Sequence, residues 1–105
     1  MNQVYISGKI VGDILHEYKD NVSVTKFKLQ NQRYSPNSNV MLKTIIWCRC
    51  TGALADYVNS ELYEGCDVIC TGFIQYIKYI TNNISIDRMY VCCNTVSKLE
   101  QEEYT

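Results

Sequence analysis

Trp47 and Arg49 stand two residues apart in the run Ile45-Ile46-Trp47-Cys48-Arg49-Cys50-Thr51, and side chains two apart on a strand share a face. A flat ring and a guanidinium side by side offer a stacking surface and a cation, the two things a nucleobase and its phosphate engage. Ile46, Cys48 and Cys50 take the opposite face, which reads as core. Trp47 is the only tryptophan; a core or interface ring is its competing reading, and its alternation with two cysteines together with the neighbouring Arg49 favours the platform. Tyr34 lies in the polar run Tyr34-Ser35-Pro36-Asn37-Ser38-Asn39, with no apolar neighbour to explain it as core. Tyr79 ends a long strand pattern and is the third candidate ring. The chain has nine tyrosines, so several must cap the core with a hydroxyl in water; Tyr5, Tyr57, Tyr63 and Tyr90 are the candidates for that role.

Ten Lys plus Arg face eleven Asp plus Glu, a balance that argues against tight capture of duplex nucleic acid, which depends on many phosphate contacts. Single strands ask less, because ring stacking supplies about 1–3 kcal/mol per base and cations need only track the backbone. The distribution matters more than the total. Acidic residues gather at Asp56, Glu61 and Glu64 and again at Glu100, Glu102 and Glu103, leaving the basic ones on strand segments. Arg33, Lys43, Arg49 and Lys78 are the candidate phosphate contacts. Lys26 and Lys28 read equally as phosphate contacts or as a solvated strand face. The single histidine, His16, and the absence of a Gly-x-Ser-x-Gly elbow, a phosphate loop or paired carboxylates in an apolar strand leave no constellation for acid–base or nucleophilic chemistry.

The elements that must position these side chains follow from periodicity. Val4, Ile6, Gly8 and Ile10 alternate with Tyr5, Ser7 and Lys9 as a half-buried first strand, which Gly12-Asp13 is expected to break. Val22 and Val24 share one parity and Phe27 and Leu29 the other, so a bulge is expected near Thr25-Lys26. The polar stretch 30–42 holds the only proline and reads as a long mobile loop. A third strand over 45–51 precedes a helix over about 52–64, where Leu54, Tyr57, Val58 and Leu62 recur at helical spacing, with Thr51 as its cap and Gly65 as its left-handed exit. A fourth strand over 66–79, a compact turn at Thr81-Asn82-Asn83 and a closing strand over 84–96 complete the map. Three strands, a helix that plugs one end, and two more strands are the layout of an all-β fold with one short helix, the five-stranded OB barrel with its helix between strands 3 and 4.

At 105 residues the chain makes a single domain that buries roughly two-thirds of its unfolded surface. The barrel is expected over 1–99, with 100–105 a short acidic end and no long tail. No apolar run is long enough to cross a bilayer, and the opening Met1-Asn2-Gln3-Val4-Tyr5-Ile6-Ser7-Gly8 lacks the marks of a signal peptide, which points to the cytoplasm. Six cysteines then read as reduced thiols, with Cys48, Cys50 and Cys70 acting as small hydrophobes in the core. The alternative is a zinc site in which Cys48-x-Cys50 and Cys92-Cys93 converge; without a Cys-x-x-Cys knuckle or a nearby histidine the reading is no metal and no cofactor.

The residues also carry a resemblance. Asn2-x-Val4 through Gly8-x-Ile10-x-x-Asp13 to Tyr18 resembles the first strand of bacterial single-stranded DNA-binding proteins. Leu54-Ala55-Asp56, Glu61-Leu62, Gly65, Val68 to Gly72 and Lys78-Tyr79 resemble that family's helix, its glycine turn and its fourth strand, and Val91 to Glu100 its closing strand. The primosomal replication protein B family is similar in fold and length, with a Trp-Cys pair like Trp47-Cys48 and a Gly-Phe-Ile like Gly72-Phe73-Ile74. The resemblance implies stacking roles for Tyr34, Trp47 and Tyr79, and pairing of subunits, in the first family through the amino-terminal strand, where Tyr5 and Ser7 would flank the contact. Three positions depart from the pattern: Thr51 replaces a ring, and Gln75 and Ile77 replace basic residues, which predicts weaker binding. The acidic recruiting motif that ends the family's tail has no counterpart here, so no tail-mediated recruitment is expected.

The function these readings point to is non-enzymatic binding of single-stranded DNA in replication, recombination or mobile-element maintenance, by stacking and a few phosphate contacts. The same chemistry accepts RNA. A homo-oligomer, dimer or tetramer, is expected as well, because the outward parity of strand four carries Phe73 and Ile77. The alternative is a protein-interaction OB module of the primosome-adaptor kind, with weak or no DNA binding.

Overall fold

The computed structural model describes residues 1–100, so most of the acidic end expected over 100–105 lies outside the described residues. Five strands and one helix follow in the order β1 (Val4–Lys19), β2 (Val22–Ser35), β3 (Val40–Thr51), α1 (Ala53–Glu61), β4 (Asp67–Thr81) and β5 (Ile84–Lys98). Antiparallel neighbours and one short parallel contact, Cys48↔Val91 and Arg49↔Cys92, close the sheet in the order β1-β2-β3-β5-β4. This is the five-stranded OB barrel that the sequence layout predicts.

Both tight hairpins obey one rule. Asp20-Asn21 and Asn82-Asn83 have positive φ at both positions, which makes them two-residue turns whose twist matches the flanking strands, and Asn and Asp tolerate that region best. The inward parity of the strands supplies the core: Ile10 from β1, Phe27 and Leu29 from β2, Cys48 and Cys50 from β3, Val68 and Cys70 from β4, and Val91 and Val96 from β5. Ala55, Val58 and Leu62 close one end of it from the helix.

Four local expectations are corrected. β1 does not stop at Gly12-Asp13; it continues to Lys19 through a bulge between Val11 and Leu15, where Gly12 takes φ +74. The bend lets one strand serve both sides of the closure, its first half pairing β4 and its second half β2. The bulge expected near Thr25-Lys26 is absent, since β2 pairs β3 without a shift from Val24↔Thr51 to Ser35↔Val40. Inward parity there carries polar side chains because they find partners: Thr25 Oγ1 donates to the Ala55 carbonyl of the helix at 2.8 Å, and the Ser23 hydroxyl hydrogen-bonds His16 Nε2 of β1 at 2.8 Å. The stretch 30–42 is a hairpin rather than a long loop, β2 reaching Ser35 and β3 beginning at Val40. Finally, the helix starts on Gly52 with no side-chain cap from Thr51. Gly65, at φ +99, serves the turn into β4 and not the helix end, with its N–H donating to the Ile10 carbonyl at 2.8 Å.

Among the described residues no helix is long and apolar enough to cross a membrane.

Candidate nucleic-acid interface

Trp47 lies on the outward parity of β3, opposite Lys28 of β2, and the parallel β3–β5 contact brings the outward side chains of β5 against it. Tyr90 meets the indole edge-on, with ring centroids 6.1 Å apart. The Arg88 guanidinium stands 4.4 Å from the Trp47 centroid and 5.6 Å from that of Tyr79, a cation between two ring faces. Lys28 Nζ lies 5.7 Å from the Trp47 ring and Lys26 Nζ 5.8 Å from the Tyr90 ring. Around them opens a groove of about 460 Å³ whose walls include Leu15, Tyr18, Lys19 and Tyr79. One acid enters it: Glu17, whose carboxylate sits 3.5 Å from Lys26 Nζ.

The face extends along the β2–β3 hairpin. Outward pairs run from Lys26↔Arg49 and Lys28↔Trp47 through Gln30↔Ile45 and Gln32↔Lys43 to Tyr34↔Met41, and the six residue steps of β3 from Trp47 to Met41 span about 20 Å at strand rise. Tyr34 is half exposed near the tip, its hydroxyl bonded to the Asn39 amide oxygen. The structure therefore places Trp47, Tyr34, Lys43 and Arg49 on one side of one hairpin. Tyr79 joins them from β4, held through Arg88. Two candidates fall elsewhere: Arg33 pairs Leu42 on the other side of the hairpin, and Lys78 pairs Asp87 on the reverse side of β4–β5. Neighbouring residues on a strand point oppositely, so neither can share a face with the ring beside it.

Arg88 and Tyr90 are the residues that sequence reasoning passed over. Their i, i+2 spacing repeats that of Trp47 and Arg49, a signal present in the chain; what it lacked was the knowledge that β5 lies beside β3. Tyr90 is buried as a core-capping ring should be, and it also forms the floor beside Trp47. Tyr5, Tyr57 and Tyr63 are exposed instead. The Tyr5 hydroxyl accepts from the Gln3 amide at 2.6 Å and that of Tyr63 from Lys98 Nζ at 3.1 Å.

Beneath this face, the thiols are all free. Cys48, Cys70 and Cys93, from three strands, bring their sulfurs within 4.8 Å of one another. Cys92 turns outward, its thiol 3.5 Å from Gln75 Oε1. Hydrogen bonding to Cys70 and Cys93, then burial, pushes the Cys48 thiol far above its ordinary value. The Cys48 thiol pulls Cys70 down while Cys93 and burial push it up, for a net rise to about 12.

The element order and the closed barrel place the chain in the OB-fold class. No family model matches its sequence, and no curated protein matches it either. In three dimensions it is similar to the crystal structure of a small single-stranded DNA-binding protein from Streptomyces coelicolor, with a TM-score of 0.71 and 12% identity over 91% of this chain and 92% of that one. The two share the OB fold over nearly their whole lengths.

Proposed function

We propose that this chain is a non-enzymatic binder of single-stranded DNA, and that its track is the outward face of β2, β3 and β5 with the end of β4. The observation that carries the reading is the cluster of Trp47, Tyr79 and Tyr90 interleaved with Arg88, Lys28 and Lys26 in an open groove. Rings supply stacking to any base, and cations beside them supply phosphate contacts, which is how OB barrels hold single strands without reading sequence. The similarity to a structure described as a single-stranded DNA-binding protein supports the same reading. Trp47, Tyr79 and Tyr34 are the stacking residues, and Lys43, Arg49, Arg88, Lys28 and Lys26 the phosphate contacts. Arg33 and Lys78 contribute only to the general field. Work on single strands in replication, recombination or mobile-element maintenance follows from such an activity.

Copies of the chain pair, in this proposal, so that one short track becomes a longer one. Exposed apolar side chains support it: Phe73 on the outward side of β4, and Ile74, Tyr76 and Ile80 on the reverse, the last 75% exposed. Ile77 contributes less, being half-buried beside Arg88.

The test is a titration of Trp47 fluorescence with oligo-dT, run beside light scattering of the free protein. Because the tryptophan is unique, strong quenching reports the platform itself. Protein that shows neither quenching nor a shift of labelled oligo-dT lacks the activity, and the barrel is then a protein-interaction module.

A further inference from the structure

The six cysteines are not spread evenly through the fold. Cys48 on β3, Cys70 on β4 and Cys93 on β5 belong to different strands and are brought together only by barrel closure, with mutual sulfur separations within 4.8 Å. Cys50 is two residues along β3 from Cys48, on the same inward face and buried. A core that needed only small apolar groups would be served by alanine or valine at any of these places; three thiols converging from three strands also form a donor set.

We propose that these sulfurs are a binding site for a soft d¹⁰ cation of the Zn²⁺ class, with Cys48, Cys70 and Cys93 as ligands and Cys50, on the same face of β3 but outside the triangle, turning in to the fourth corner. Donor chemistry selects the class. The set contains only sulfur, so it suits Zn²⁺ or Cu(I) and not the oxygen-seeking Mg²⁺ or Ca²⁺. Geometry is compatible with tetrahedral zinc, in which Zn–S bonds of about 2.3 Å place sulfurs about 3.8 Å apart, so the triangle closes by about an ångström or less. Charge favours the divalent ion. Thiols lose protons as they bind metal, and the surrounding core of Ile10, Phe27, Leu29 and Val91 solvates no residual charge, so Zn²⁺ leaves one negative charge fewer than Cu(I) on the same ligands. Cys93 is the least buried of the four, and gives the ion its way in.

The site differs from the groove: it lies on the inward side of β3, one residue from Trp47, and would couple ion content to barrel stability more than to stacking. Structural zinc sites contribute directly to folding. A pre-formed barrel that already folds without metal would gain stability with the logarithm of one plus the ratio of ion concentration to Kd.

The experiment uses the full chain purified with reductant and chelator, then titrated with Co²⁺ as the spectroscopic substitute for Zn²⁺. Thiolate-to-cobalt charge-transfer bands with tetrahedral d–d bands, saturating at one ion per chain and erased by added Zn²⁺, are expected, together with a Zn²⁺-dependent rise in Tm that chelator reverses. Cys70→Val, which keeps the core filled, and Cys93→Ser should each abolish the bands, while Cys66→Ser, a buried thiol outside the cluster, should keep them. Should Cys70→Val and Cys93→Ser fail to fold, cadmium NMR of the unaltered protein takes their place, and a shift characteristic of four sulfur ligands is required. Absence of the bands from folded protein overturns the proposal, as does binding that Cys66→Ser removes equally. A disulfide among Cys48, Cys70 and Cys93 in protein handled without oxidant would overturn it too. None of these outcomes bears on oligo-dT binding.

Discussion

Arg88 is the residue on which the electrostatic half of the groove can be tested most sharply, because it touches two rings and offers a free charge at once. Its guanidinium lies 4.4 Å from the Trp47 centroid and 5.6 Å from that of Tyr79, contacts worth about 0.5–1 kcal/mol each at a partly exposed site. Arg88→Ala should therefore lower stability by on the order of 1 kcal/mol, and raise the acrylamide quenching of Trp47 in the free protein. On DNA the loss is larger. A charge-assisted contact to phosphate is worth about 1.5–3 kcal/mol, a loss of roughly tenfold to a hundredfold in Kd. The salt dependence separates charge from ring contact. Six cations lie on the outward face or line its groove, Lys19, Lys26, Lys28, Lys43, Arg49 and Arg88, and at about 0.7 per phosphate on a single strand they set a ceiling near −4 for the slope of log affinity against log salt. Arg88→Ala should flatten the slope by about 0.7, whereas Arg88→Lys should keep it and still bind more weakly, because an ammonium lacks the planar fork that stacks and bonds together. Fluorescence titrations with oligo-dT across a series of salt concentrations measure both numbers. An unchanged slope for Arg88→Ala, beside a flattened one for Lys28→Ala, would reduce Arg88 to a brace between two rings and refute its place on the path.

Trp47→Ala should weaken oligo-dT binding by about 1–3 kcal/mol, with Tyr79→Ala and Tyr34→Ala each costing less; equal affinity of Trp47→Ala and unaltered protein in an anisotropy titration would remove the platform. Lys28→Ala should weaken binding more than Lys78→Ala, since Lys28 lies 5.7 Å from the Trp47 ring and Lys78 faces Asp87 on the reverse side; the same titration checks the order. Gly72→Ala should fold poorly or lose at least about 3 kcal/mol, because its Cβ would collide with the Cys92 carbonyl and the Cys93 backbone, and urea denaturation measures it. Thr25→Val should cost about 1–3 kcal/mol in the same assay, because the Ala55 carbonyl loses the hydroxyl 2.8 Å away that ties the helix to β2.

Strand parity was the most legible property of this chain, and the site was legible as far as parity reaches. Trp47 and Arg49 could be placed on one face, and Cys48 and Cys50 on the other, from period two alone, and the structure keeps that division. The same rule already spoke against Lys78 beside Tyr79 and Arg33 beside Tyr34 as joint members of one surface. What parity could not show was adjacency between elements far apart in sequence: Arg88 reaches Trp47 only through the parallel contact Cys48↔Val91, which no local pattern announces. The hairpin over 30–42 was hidden for a different reason. Its pairs, such as Asn31↔Thr44 and Gln32↔Lys43, extend past the core, so neither face needs the apolar alternation by which strands are recognised. The bulge misplaced onto β2 shows the converse, with Thr25 buried because it bonds to the helix and Ser23 because it bonds to His16 of β1, and not because the strand changes face.

A formal charge of −1 is thus a poor guide to what the surface offers a single strand. Strand alternation sorts Lys26, Lys28, Lys43 and Arg49 onto the outward face of one hairpin, and closure adds Arg88, while Asp56, Glu61 and Glu64 lie on the helix and the turn after it. Within one Debye length, about 8 Å at physiological salt, a strand in the groove meets mostly cations, with Glu17 partly neutralised by Lys26 at 3.5 Å. For the proposed activity this means a short track of modest strength, in which stacking on Trp47 would supply much of the affinity and charge would mainly set the path. Such a track gains most from being joined to a second one. The proposed pairing would add length without new DNA contacts on either barrel, and the exposed Ile74, Tyr76 and Ile80 are side chains that a partner would cover.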